Sequence, residues 1–322
     1  PVHLRAEALS PPPRRGGATT RAFLKVEDGC NLHCAFCIIP SLRGAQRSRP
    51  FEEVVAEVHR LAASGVNEIV VTGVQISAYR DQGRRLPDLV AALLAALRDA
   101  SPTTRLRLTS VAPWEFDPRL FDLWSDERLC RHVHLSLQSG SAATLARMTR
   151  PDTPERYARL LERLRAHVPD LAVTTDVIAG FPGETEAEFE ESLNFVRAAR
   201  YAKIHAFPFS PRPGTAAAAM PNPVPAAVVR ERMHRLLEVG RQAEREHCAA
   251  RIGRTVEVLW ERPRHGSGVG LTDDYVRVVC PEARDLAGLF RTARIVDFAG
   301  DFAGDFAGDL AGGGAVSATL VD

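Results

Sequence analysis

Six apolar runs of strand type recur between residues 23 and 209, and helical patterns stand between them. The runs lie at 23–27, 67–72, 105–111, 132–137, 172–179 and 203–209, and the helical patterns at 51–64, 86–99, 117–126, 154–167 and 184–199. In the first helix, Val54, Val55, Val58, Leu61 and Ala62 share one stripe, the mark of a helix packed on one face. The helix at 184–199 opens with Thr185 and Glu188, the spacing of a capping box. Strands separated by helices pair in parallel through crossovers, so the fold class is α/β. Six such units fall short of the roughly 250 residues of an eight-unit barrel. The expected architecture is a partial parallel βα barrel, with a doubly wound sheet as the competitor.

The chemically distinctive residues sit where the runs end. A cysteine cluster follows the first, Thr72–Gln75 ends the second and Ser110–Pro113 the third. Ser136–Ser141 ends the fourth, Gly180–Glu184 follows the fifth and Pro208–Pro211 ends the sixth. Parallel α/β sheets build their sites at the carboxyl ends of strands, so all six loops are expected to face one mouth.

Flanking texture divides the chain further. Residues 1–20, with three consecutive prolines at 11–13, read as a linker remnant, and 21–215 as the core. Residues 216–250 read as a connector and a charged helix, and 251–322 as a small all-β barrel of short alternating strands. A four-residue repeat, Asp-Phe-Ala-Gly, begins at Asp297 and fits no solenoid period; it reads as an inserted surface hairpin or loop. The chain starts at Pro1 without methionine or an apolar leader, and is expected to be a fragment of a longer protein.

Forty-one basic residues balance forty acidic ones, so any nucleic-acid partner must be met by a local patch. No uncharged apolar stretch approaches the ~18 residues of a membrane span. Of six cysteines, Cys30, Cys34 and Cys37 crowd into eight positions while Cys130, Cys248 and Cys280 stand alone. Clustering of this kind favours a metal or redox site in a reducing compartment over a disulfide framework. Thiolates suit iron–sulfur clusters and zinc. Three can hold three irons of a cubane and leave the fourth open, whereas zinc would need His33, whose adjacency to Cys34 makes chelation strained. His132 and His134 alternate along a strand and read as packed or exposed residues rather than ligands. Cys130, Cys248 and Cys280 read as structural thiols.

The Cys-x3-Cys-x2-Cys loop, with Phe36 before its last cysteine, resembles the signature of radical S-adenosylmethionine enzymes. VTGVQISAY at 71–79, HVHLSLQSGS at 132–141, DVIAGFPGET at 176–185 and FPFSPRPGT at 207–215 resemble the methylthiotransferase branch. Within it they are most similar to the MtaB type, which modifies threonylcarbamoyladenosine in tRNA. The resemblance implies a [4Fe–4S] cluster on Cys30, Cys34 and Cys37 whose open iron chelates S-adenosylmethionine, and chemistry through a 5′-deoxyadenosyl radical. It implies cofactor contacts for Phe36, for Gly73 as bare backbone near the methionine amino group, and for Gln138, Ser139 and Asp176; no catalytic residue follows. It likens the C-terminal barrel to a TRAM domain that binds RNA, with Arg230, Arg232, Arg235 and Arg241 extending the basic surface or standing on a solvated helix face. The implied partners are tRNA and an electron donor such as a flavodoxin or ferredoxin, with no membrane and a cytoplasmic location.

The chain departs from that branch in having no cysteine before Cys30, and so none for the second, sulfur-donating cluster that the branch carries upstream. Two alternatives stay open: a sibling enzyme acting on a ribosomal protein, and a non-catalytic RNA-binding protein with a structural three-cysteine metal site.

Overall fold

A computed structural model describes residues 20–101, 103–299 and 314–321. Six strands, β1 (Arg21–Lys25), β2 (Glu68–Thr72), β3 (Arg105–Val111), β4 (Leu129–Leu135), β5 (Ala172–Ala179) and β6 (Lys203–Pro208), pair in parallel. Their order across the sheet is their order along the chain. A doubly wound sheet reverses that order at a switch point. Here no reversal occurs, so the sheet has the single winding of a barrel, left open between β1 and β6.

Helices α1 (Phe51–Ala63), α2 (Leu86–Ala100), α3 (Leu120–Leu123), α4 (Pro154–His167) and α5 (Glu186–Ala199) connect the strands. Val54, Val58, Leu89, Leu93, Leu161 and Leu193 are buried in one core with Leu24, Ile69, Leu106, Leu108, Val133 and Val173 of the sheet. The helix predicted at 117–126 shrinks to α3. Asp117 accepts from the Arg119 N–H and Asp126 from the Arg128 N–H, and such side-chain bonds compete with helix. The capping box of α5 is present: Thr185 Oγ1 accepts from Glu188 N at 3.2 Å, and the Glu188 carboxylate accepts from Thr185 N at 2.8 Å.

Alternate strand residues face inward, and there the sheet is polar: Arg21, Glu68, Arg107, His132, His134, Thr174, Lys203 and His205 line one internal cavity of about 370 Å³. Its far wall belongs to the C-terminal unit. After α6 (Ala226–Ala249), strands β7 (Thr255–Arg264), β8 (Ser267–Leu271), β9 (Arg277–Cys280), β10 (Phe290–Phe298) and β11 (Ala315–Leu320) form a closed barrel in the order β7-β8-β9-β11-β10. Val258, Trp260, Val278, Ile295 and Val316 fill it. The expected small β-barrel is therefore present. The linker expected at 1–20 lies, except for Thr20, outside the described residues, and so does most of the four-residue repeat.

The barrel docks near the amino ends of the sheet strands through one buried carboxylate. Glu68, wholly buried, accepts from Arg105 Nε at 2.6 Å, Arg107 Nη2 at 2.9 Å and Arg21 Nε at 2.5 Å. Arg105 and Arg107 then donate to the carbonyls of Leu271, Thr272 and Asp273. Among the described residues, no helix is long and apolar enough to cross a membrane.

Candidate functional site

The loop after β1 carries all three clustered cysteines, and backbone hydrogen bonds tie it to its neighbours. Ala35 N donates to Met148 O at 2.9 Å, Ala217 N to Ala35 O at 2.7 Å, and Cys30 N to Gly44 O at 3.2 Å. Phe36 is half-buried and meets Phe181 edge-on at 6.5 Å between ring centroids; Phe181 meets Phe209 at 5.3 Å. The loops after β1, β5 and β6 thus share one aromatic contact chain, and the Gly180–Gly183 turn lies against the cysteine loop.

Cys34 is buried, Cys30 and Cys37 partly so, and all six cysteines are free thiols. Burial, together with the neighbouring thiols, pushes Cys30 and Cys37 above the ordinary thiol range, so three thiolates here call for a compensating cation. Cation charge arrives from one side: Arg150 stacks over Trp114 at 4.3 Å and points Nη1 at Cys34 Sγ, 3.8 Å away. Its Nη2 is held by Ser136 O at 2.7 Å. Among the described residues only His134, Asp176 and His205 bring three ligand atoms within 4.8 Å of one another. The cysteine sulfurs therefore stand too far apart to share a single ion, and His33 is exposed. A cluster with several metal atoms fits three thiols spread along one loop.

Gly73 lies beside Glu27, a fully buried carboxylate that sequence reasoning did not select. A Cβ on Gly73 would fall 2.6 Å from Glu27 Oε2. Glycine at this position thus leaves room for Glu27. Glu27 accepts from Gln75 N at 2.9 Å and from the Val74 N–H, while its other oxygen has no partner. Burial raises this carboxyl to about 7 against those two hydrogen bonds. Gln75 in turn donates through Nε2 to Glu115 at 2.8 Å. Glu27, Cys30, Gln75 and Glu115 border a cavity of about 210 Å³ beside the cysteine loop, a place where a small polar ligand can meet both a thiolate and Gln75.

The remaining predicted residues separate. Gln138 takes left-handed backbone, φ 75°, at the end of β4 and bridges to β5, its N–H donating to Asp176 O at 2.9 Å. Ser139 does not reach the mouth. It is wholly buried, shares a 2.8 Å hydrogen bond with Ser192 of α5 and accepts from Ser141 N, so it stabilises the turn. Asp176 points into the barrel interior between His134 and His205.

The arginines of α6 require a correction as well. Arg232 is buried, with Nη1 2.9 Å from Glu184 and Nη2 3.0 Å from Glu186. Arg235 pairs with Glu186, Glu190 and Glu231, and Arg241 with Glu238. Neutralised by acids, most of them from α5 and the turn before it, these three do not form a basic face. Exposed arginine is found on the closed barrel, at Arg262, Arg264, Arg291 and Arg294.

A family model described as the radical SAM superfamily matches residues 24–196, a span that contains the cysteine loop, the end of β1 and all of β2 to β5. The chain belongs to that superfamily. Its members use a [4Fe–4S] cluster and S-adenosylmethionine, and the three separated thiols described above fit that group. The chain is 41% identical over 254 residues to a tRNA-2-methylthio-N(6)-dimethylallyladenosine synthase of Erythrobacter litoralis, covering 78% of this chain and 56% of the relative. It is 36% identical over 285 residues to the threonylcarbamoyladenosine tRNA methylthiotransferase MtaB of Bacillus subtilis, covering 86% and 62%. The chain thus spans little more than half the length of these curated relatives. Among solved structures it resembles TsrM of Kitasatospora setae, a radical S-adenosylmethionine methyltransferase determined with cobalamin and a [4Fe–4S] cluster. The TM-score is 0.53 at 20% identity, covering 64% of this chain and 39% of that one. That likeness bears on the fold, and it agrees with the partial barrel.

Proposed function

We propose that this protein acts in tRNA methylthiotransfer, placing a methylthio group on the adenine of threonylcarbamoyladenosine beside the anticodon. The observation that carries the reading is the joining of the strand-end loops around Cys30, Cys34 and Cys37, in a chain whose relatives are named tRNA methylthiotransferases. When bound, the cluster supplies the electron that cleaves S-adenosylmethionine. The protein's own residues hold and shield. Cys30, Cys34 and Cys37 are the cluster ligands, and Arg150 brings positive charge to Cys34. Glu27 fixes the Gly73–Gln75 backbone, and Phe36, Phe181 and Phe209 close the mouth on one side.

The closed barrel is read as TRAM-like, with Arg262, Arg264, Arg291 and Arg294 as its phosphate-facing surface. The domain limits 21–215, 216–250 and 251–322, an electron donor such as a flavodoxin or ferredoxin, and a cytoplasmic setting belong to the same reading. Cys130, Cys248 and Cys280 are buried singly, so the described residues hold no second three-cysteine set to donate sulfur.

Greater identity to a dimethylallyladenosine synthase favours a second reading of the substrate. One experiment separates the two. The reconstituted protein is given anticodon stem-loops carrying either modified adenosine, deuterated at C2, and deuterium is measured in the 5′-deoxyadenosine formed. Transfer from the threonylcarbamoyl substrate alone supports the proposal. Transfer from the dimethylallyl substrate alone establishes the second reading, and transfer from neither sinks both.

A further inference from the structure

The internal cavity of the partial barrel contains a group of side chains that the methylthiotransfer reading does not use. We propose that His134, Asp176 and His205 form a mononuclear site for a divalent first-row transition ion, separate from the cysteine loop, with its open coordination positions facing the cavity.

Strand register creates the group. In the parallel pair β5–β6, Asp176 stands opposite His205, and in β4–β5 His134 stands opposite Thr174, two residues before Asp176 on the same face. Three adjacent strands therefore present imidazole, carboxylate and imidazole inward at one level. His134 Nε2 lies 3.4 Å from Asp176 Oδ2, and His205 Nδ1 lies 3.2 Å from Asp176 Oδ1. Charge-assisted hydrogen bonds are shorter, about 2.7–2.9 Å. Two ligands each about 2.1 Å from one ion stand about 3.0–3.4 Å apart at octahedral to tetrahedral angles. Each imidazole faces a different oxygen of the one carboxylate at a distance within that range, and the three ligand atoms lie within 4.8 Å of one another.

The surroundings agree. His134 Nδ1 is 3.1 Å from Thr174 Oγ1, the outer hydrogen bond that fixes which nitrogen of a ligating imidazole faces the metal. Three basic side chains of the cavity lie beside acids: Arg107 pairs with Glu68, Arg21 with Glu68 and Glu261, and Lys203 lies 4.0 Å from Glu244. Asp176 is left with imidazole partners. Two imidazoles and one carboxylate suit iron, cobalt, manganese or zinc rather than calcium or magnesium. His134 and His205 both line the cavity of about 370 Å³, so three protein ligands leave positions open to it. None of its lining residues borders the cavity beside Cys30.

The test uses the protein with its iron–sulfur cluster reconstituted, so that the cysteine thiolates are occupied. Zinc is titrated by calorimetry, iron content is followed, and X-ray absorption is recorded at the zinc edge. The expected result is one zinc per chain with nitrogen and oxygen neighbours at about 2.0–2.1 Å and none at the ~2.3 Å of sulfur. Asp176→Asn and His205→Gln should weaken binding at least tenfold with the iron retained. The glutamine keeps an amide donor for Asp176 and removes the imidazole, so it separates ligation from hydrogen bonding should Asp176→Asn disturb the fold. No saturable site in the parent protein, sulfur in the zinc shell, or unchanged affinity in either variant that retains its iron would overturn the assignment.

Discussion

Replacing Glu68 with glutamine is the perturbation whose size follows most directly from the structure. The carboxylate is wholly buried, and the Arg105 and Arg107 side chains are 6% and 3% exposed. Taking away one partner of a buried ion pair leaves an uncompensated charge and costs about 3–5 kcal/mol. Arg21 keeps Glu261 at 2.9 Å and adds little. Against a domain stability of about 5–15 kcal/mol, the loss is about a fifth or more and is readily seen in urea unfolding at neutral pH. The same two guanidiniums hold the Leu271, Thr272 and Asp273 carbonyls, so amide exchange in that turn should accelerate. The pH dependence has a definite sign. The arginines hold the Glu68 carboxyl, against its burial, well below its ordinary 4.5. Its contribution is therefore complete above that value and is lost as pH falls towards the folded one. The difference between parent and Glu68→Gln should be flat at neutral pH and shrink in acid. A loss under about 1 kcal/mol, the scale of a surface pair, or a difference that persists in acid would refute the reasoning.

Other substitutions probe the site and its frame. Gly73→Ala places a methyl 2.6 Å from Glu27 Oε2; a displacement of ~1 Å in a positioned group costs up to about a hundredfold, so S-adenosylmethionine cleavage should fall by tenfold or more with cluster iron retained. Ser139→Ala removes the acceptor for Ser141 N; it should cost about 1–2 kcal/mol in denaturant unfolding and leave S-adenosylmethionine affinity by equilibrium dialysis unchanged, and a selective loss of affinity would return Ser139 to the cofactor. Thr185→Ala removes one half of the α5 capping box and should lower stability by about 1 kcal/mol, with no change in cleavage rate.

The alternation of strand and helix, the capping box at Thr185 and the cysteine loop were legible because each is written within a few consecutive residues. The C-terminal barrel was legible from its short alternating strands. What stayed hidden depends on register and on distant partners. Glu27 meets Gln75 across 48 positions, and Arg150 meets Cys34 across 116. His134 read as a packed or exposed residue, and His205 carried no local signal, until parallel pairing set both beside Asp176. Arg232 and Arg235 read as candidates for a basic face because their acids lie some 45–49 residues earlier in sequence. Ser139 sits in a loop of the expected place, but the close packing of Gly140 against Phe195 and Ser192 of α5 turns it inward. One signal was available beforehand: Glu27 closes the first apolar run, three residues before Cys30.

The central claim is that Cys30, Cys34 and Cys37 build a working radical site. Anaerobic reconstitution with iron and sulfide, followed by dithionite and S-adenosylmethionine, tests it through the yield of 5′-deoxyadenosine. The account predicts a brown protein that forms it and a Cys34→Ala variant that does not. A colourless protein holding zinc on its cysteines and yielding no 5′-deoxyadenosine would contradict the account.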